Sequence, residues 1–135
     1  MGEIQSAEQF KRLLESELAS ERWIASRGEA SLEVWADIIA RFPELRQWVA
    51  HNKTVPLEIL DTLSRDRVTR VRYAVADRRK LSRELFDRLA ADQEEIVRSA
   101  VASNQRTPKD VLEMLALDKA ESVREMAKDR LRRSS

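Results

Sequence analysis

Apolar residues recur at helical spacing along most of the chain. Phe10, Leu13, Leu14 and Leu18 fall at i, i+3, i+4 and i+8, one face of a helix. Ser6 with Gln9 three residues on has the form of a capping box at its start. The pattern predicts a helix that runs on through Trp23 and Ile24 to a stop at Gly28. Ser31 then caps a second helix carrying Leu32, Val34, Trp35, Ile38 and Ile39, and a third begins at Pro43, a favoured first helical position.

From Leu45 the pattern repeats itself. Setting Val97 over Val71 and Leu45 gives a fixed offset of 26 residues, and Val123 opens a truncated further copy. Down the register run Arg46/Arg72/Arg98/Arg124, Val49/Val75/Val101, Leu63/Leu89/Leu115 and Asp66/Asp92/Asp118. In each copy a first half (Val97, Ala100, Val101) and a second half (Val111, Leu112, Leu115) both have helical spacing. Two short helices per copy are therefore expected, at 44–51 with 56–64, 69–77 with 82–90, and 94–103 with 108–117. Thr107 is the expected cap of the last of these, with Pro108 in its first turn. Helices this short are marginal alone and must bury their faces between copies. The expectation is an all-α fold, a short right-handed α-solenoid of helix pairs in one domain. Residues 1–44 form an N-terminal helical cap, 45–70, 71–96 and 97–122 are the copies, and 123–135 is a partial copy.

Three positions in the register carry structural expectations. Trp48 has Ala74 and Ala100 as its equivalents; the expectation is an indole filling space between the cap and the first copy, the alternative a ligand-stacking aromatic. Asp92 and Asp118, each with a Glu three residues on, have a capping-box arrangement, and Asp66 lacks the Glu. Each Asp precedes an Arg by six (Asp66–Arg72, Asp92–Arg98, Asp118–Arg124), which is not a facing pair on one helix. Two readings stay open: a charge ladder between neighbouring copies, or separate caps and solvated arginines.

The run Pro56-x-x-Ile59-Leu60-x-x-Leu63-Ser64-x-Asp66 followed by Val71-Arg72-x-x-Val75-Ala76 resembles the HEAT repeat. The short period and the phrase Val-Ala-x-Asn before Val-Pro or Thr-Pro (Val49 to Asn52, Val101 to Asn104) are still more similar to the bacterial leucine-rich repeat variant. The resemblance covers residues 45 to about 131. It implies a helical-repeat fold and says little of function. Copy two departs, with Arg78 for the Asn and Ser82 for the Pro. Some variant-repeat proteins carry a cysteine cluster for an iron–sulfur centre; this chain has no Cys, so that cofactor is not implied.

The composition fits: 36% of residues are charged, 5% aromatic, and two Gly and three Pro leave few turn-formers for hairpins. The lack of Cys also excludes disulfides and thiolate chemistry. Neither an apolar leader nor a run near the about 18 residues of a membrane span is present, so a cytoplasmic location away from membranes is expected. Catalytic signals are scarce. The one His, His51, reads as a solvated turn residue, and Gly2 and Gly28 make no phosphate loop. No catalytic residue, metal or cofactor is assigned.

Charge is unevenly spread. Residues 65–88 carry nine Lys/Arg against four Asp/Glu, 1–44 five against nine, and 89–118 three against six. The turns between first and second helices hold Lys53, then Arg78, Arg79 and Lys80, then Arg106, with Arg130, Arg132 and Arg133 extending the row. The expected function is non-catalytic protein–protein binding, as an adaptor, regulator or toxin-neutralising inhibitor, with an acidic protein surface as the partner of this edge and the protein itself a monomer. Nucleic-acid binding through the same edge is the alternative, and a helical-repeat DNA-modifying enzyme the third reading.

Overall fold

The computed structural model describes residues 3–134; Met1 and Gly2 of the expected 1–44 segment and Ser135 of the 123–135 segment lie outside the described residues. The fold is all-α. Among the described residues there are ten α-helices and one 3-10 turn, and β pairing is confined to an isolated bridge between Glu3 and Glu29. The chain forms two compact units, one ending at Leu63 and the other beginning at Ser64.

The first unit holds α1 (Ala7–Glu15), α2 (Ala19–Arg27), α3 (Leu32–Arg41), a 3-10 turn (Pro43–Leu45), α4 (Arg46–His51) and α5 (Leu57–Leu63). Ser6 caps α1 by accepting from the Gln9 N–H at 3.0 Å, and Ser31 caps α3 by accepting from Val34 N–H at 3.2 Å. Phe10 and Trp35, both fully buried, meet edge to face with centroids 5.8 Å apart, which is the favoured arrangement of two aromatic quadrupoles. The single helix expected from Phe10 to Trp23 is two helices. Ser16 ends the first: its hydroxyl accepts from Leu18 N–H at 3.0 Å and donates to Glu21, while its carbonyl accepts from Arg22. Local side-chain bonds of this kind compete with the helical ladder, and Leu18 is left exposed instead of continuing the apolar face. Gly28 does end α2, in extended backbone.

The second unit holds α6 (Thr69–Ala76), α7 (Arg83–Ala90), α8 (Glu95–Ser103), α9 (Lys109–Leu115) and α10 (Glu121–Ser134). α8 packs against both α6 and α10, and α7 against α9, giving two rows of helices joined by the α6–α7, α7–α8, α8–α9 and α9–α10 contacts. Val75, Leu89, Val97, Val101 and Leu115 are buried between the rows. Ser82, in the place of a Pro, caps α7 by accepting from Leu85 N–H at 3.2 Å. Thr107 does not cap α9; its hydroxyl donates to the Val101 carbonyl at 2.6 Å.

Two buried ion pairs tie the second unit together. Arg72 forks Asp92, Nε to one oxygen at 2.8 Å and Nη2 to the other at 3.2 Å, while its Nη1 donates to the Asp66 carbonyl at 2.8 Å. Arg98 forks Asp118 at the same distances, and its Nη1 donates to the Asp92 carbonyl at 2.8 Å. The capping boxes expected at Asp92 and Asp118 do not form. Each Asp accepts instead from the N–H two residues on: Val68 for Asp66, Glu94 for Asp92, Ala120 for Asp118. These Asx turns leave the carboxylate free to receive the arginine fork as well.

Buried asparagines close the helix ends. Asn104 donates through Nδ2 to the carbonyls of Ala76 (2.9 Å) and Arg78 (2.6 Å), satisfying acceptors at the C-terminus of α6. Asn52 does the same for α2, donating to Ala25 (2.9 Å) and Gly28 (3.0 Å). Arg130 takes this place in the final helix, and its Nη1 reaches the carbonyls of Asn104 (2.8 Å) and Ala102 (3.5 Å). It is a cap of α8 and not an extension of the basic row.

Candidate functional site: a tryptophan face and a basic turn edge

Trp48 is not the cavity-filling residue its register suggested. It lies on α4 with 44% of its surface exposed, whereas its equivalents Ala74 and Ala100 are 1% and 5% exposed. The inward positions of this six-residue helix go to Val49 and Ala50. An alanine at the next place is covered by its neighbours; an indole there projects past them. His51 lies beside it, ring centroids 5.7 Å apart.

The asparagine bonds show which residue of α2 is the counterpart. Trp48 stands two before Ala50, as Ala74 stands two before Ala76, the acceptor of Asn104. Trp23 stands two before Ala25, the acceptor of Asn52, and is 56% exposed. Trp23 and Trp48 therefore take the same place on α2 and α4, whose C-terminal ends are joined by the two Asn52 bonds and by Lys53 N–H to the Ser26 carbonyl at 2.8 Å. The sequence signal was present but one residue out of step: the two tryptophans are twenty-five apart, not twenty-six. Two indoles at matching places on α2 and α4 are thus left about half in water.

The second unit brings some of the basic residues together. The Asn104 side chain bonds the Arg78 carbonyl while its Oδ1 accepts from Arg106 N–H at 2.9 Å, so the α6–α7 and α8–α9 turns lie side by side. Arg79, Lys80 and Arg106 are exposed there. Arg78 differs: it is partly buried, and that burial pushes its guanidinium below the ordinary arginine pKa. Lys53 is exposed in the first unit. On the outer surface of α7 and α9, Arg83 pairs with Asp87 at 2.9 Å on its own helix and with Asp110 on α9.

Arg72, Asp92, Arg98 and Asp118 are buried framework residues with charge. The Asp92 fork holds the Arg72 guanidinium above its ordinary pKa despite burial, and Asp118 does the same for Arg98. Burial pushes the Asp118 carboxyl up, but the Arg98 fork and the Ala120 N–H outweigh it and hold it below its ordinary 3.8. Among the described residues no group of three or more His, Cys, Asp or Glu is placed to share a metal ion, and no helix is long and apolar enough to cross a membrane. No protein-family model matches the chain, and no significant match exists among curated proteins or solved structures.

Proposed function

We propose that this chain is a short helical-repeat protein that acts by binding another protein, without catalysis, as an adaptor or inhibitor. The observation that carries the reading is the pair of exposed tryptophans, Trp23 and Trp48, at equivalent places on α2 and α4. Tryptophan is the residue most enriched among those that dominate interface energetics. Keeping two of them half in water costs solubility that burial under a partner returns. The partner surface is apolar where it meets the indoles. The basic turns Arg78-Arg79-Lys80 and Arg106, with Lys53 in the first unit, favour a partner that is acidic elsewhere.

Two experiments follow. A Trp23→Ser/Trp48→Ser variant is expected to stay folded and to lose about 2–4 kcal/mol of stability, because each indole is about half buried. Its affinity for the partner captured with the parent protein falls about 100-fold or more, the loss expected of two hot-spot residues. Equal affinities would remove the tryptophan face from the interface. In the second experiment, Arg79→Glu/Lys80→Glu/Arg106→Glu melts like the parent, since exposed charges contribute little to stability. Its partner association slows at low salt and converges with the parent at high salt. Arg78 is left out of this set because its partial burial makes a reversal there destabilising. Tight binding of mixed-sequence DNA or RNA with a steep salt slope would favour the nucleic-acid reading of the same edge instead.

A further inference from the structure

Arg124 occupies the place of Arg72 and Arg98 on α10, and half of its bonding repeats theirs. Its Nη1 donates to the Asp118 carbonyl at 2.8 Å, as the Nη1 of Arg98 does to Asp92 and that of Arg72 to Asp66. A second bond, to the Lys119 carbonyl at 3.0 Å, fixes that edge further. The other edge differs. In Arg72 and Arg98, Nε and Nη2 fork an aspartate twenty residues on. Among the described residues no carboxylate meets Nε and Nη2 of Arg124. On α10, Glu125 is engaged with Lys128 and Asp129 with Arg132 and Arg133, while Glu121, three residues before Arg124, makes no ion pair with it.

We propose that the Nε–Nη2 edge of Arg124 is a preformed receptor for an aspartate carboxylate on a segment of a partner protein. The chain itself displays the occupant's chemistry twice. In both buried pairs the carboxylate is an aspartate on an Asx turn leading into a helix, preceded by an apolar residue at a helix C-terminus (Leu89 before Asp92, Leu115 before Asp118). A guanidinium already held through Nη1 loses little further freedom on receiving a carboxylate, so the fork forms at low entropic cost. Apolar surface adjoins it: Leu117, 84% exposed, directly precedes the Asp118 and Lys119 carbonyls that hold Nη1, and Met114 is exposed one turn earlier. A segment bringing an aspartate with a leucine three residues before it matches both features. This site is separate from the tryptophan face, and the failure of either would leave the other standing.

The test uses the whole protein and a synthetic peptide of residues 109–122, the segment the chain places against Arg98. Titration is followed by the Nε–H resonances of arginine in nitrogen-15 NMR spectra. The expected result is a saturable shift of the Arg124 resonance with a Kd of about 1 mM or tighter. A peptide with asparagine in place of Asp118 binds about tenfold more weakly, the effect of losing a charged hydrogen-bond partner. Arg124→Lys, which keeps the charge but loses the fork, weakens binding of the aspartate peptide to a similar degree, while Arg132→Lys leaves it unchanged. Equal affinity for the aspartate and asparagine peptides would overturn the proposal. So would equal losses in the two lysine variants, or the absence of any saturable shift at Arg124.

Discussion

Arg98→Met is expected to unfold about 3–5 kcal/mol more easily than the parent, because it leaves the buried Asp118 carboxylate without its fork. Both side chains are buried, so neither charge can turn to water when its partner is removed. The substitution also strands the Asp92 carbonyl that Arg98 Nη1 serves. Arg98→Met with Asp118→Leu removes both charges and is expected to recover at least about 2 kcal/mol, since apolar replacement of a buried pair is far less costly than breaking it. Denaturant unfolding of the three proteins checks this. A double variant no more stable than the single would mean that the charges are not coupled. The sign of the pH dependence follows from the lowered Asp118 pKa. The carboxylate's contribution is present above the ordinary value of 3.8 and is lost as the pH falls below it through the folded value.

Asn52→Asp is the second large effect, about 3 kcal/mol at neutral pH. The side chain is fully buried. Its Nδ2 donates to Ala25 and Gly28, and its Oδ1 accepts from the Thr54 N–H and hydroxyl, both at 2.8 Å. An aspartate of the same shape points an anionic oxygen at two carbonyl oxygens. Burial and those carbonyls raise the new carboxyl's folded pKa, so the folded state holds a proton that the unfolded state has released. The deficit is therefore greatest above the raised pKa and shrinks as the pH falls through it toward the ordinary carboxylate range. Urea unfolding at pH 7 and pH 5 measures it. A variant as stable as the parent at pH 7 would show that the asparagine does not close the end of α2.

Much of the second unit was legible because its apolar spacing is regular. Val97, Ala100 and Val101 predicted α8, and the helices observed at 69–76, 83–90 and 109–115 fall within the expected 69–77, 82–90 and 108–117. What spacing cannot carry is the choice among polar partners. The register placed Arg72 six residues after Asp66, but only the packed helices show that its fork goes to Asp92 while Asp66 offers a carbonyl. Arg130 read as one more positive charge, although it stands where Asn104 stands and does the same work. In the first unit an apolar periodicity ran across Ser16, so the break there was hidden in a hydroxyl's local bonds. The buried alanines at the place of Trp48 say little about an indole there, because the larger side chain outgrows the space they fill. Trp23 stands twenty-five residues before Trp48, so a rigid offset of twenty-six does not pair them.

The most direct test of the binding proposal is photo-crosslinking within the native cell. A photoreactive amino acid at His51, beside Trp48 and with both tryptophans intact, reports whatever covers that face. The expected result is a discrete protein crosslink that disappears in the Trp23→Ser/Trp48→Ser background and is absent when the probe sits at Glu84, exposed on α7. A crosslink that persists without the tryptophans, one that forms equally from Glu84, or none from His51, would contradict it.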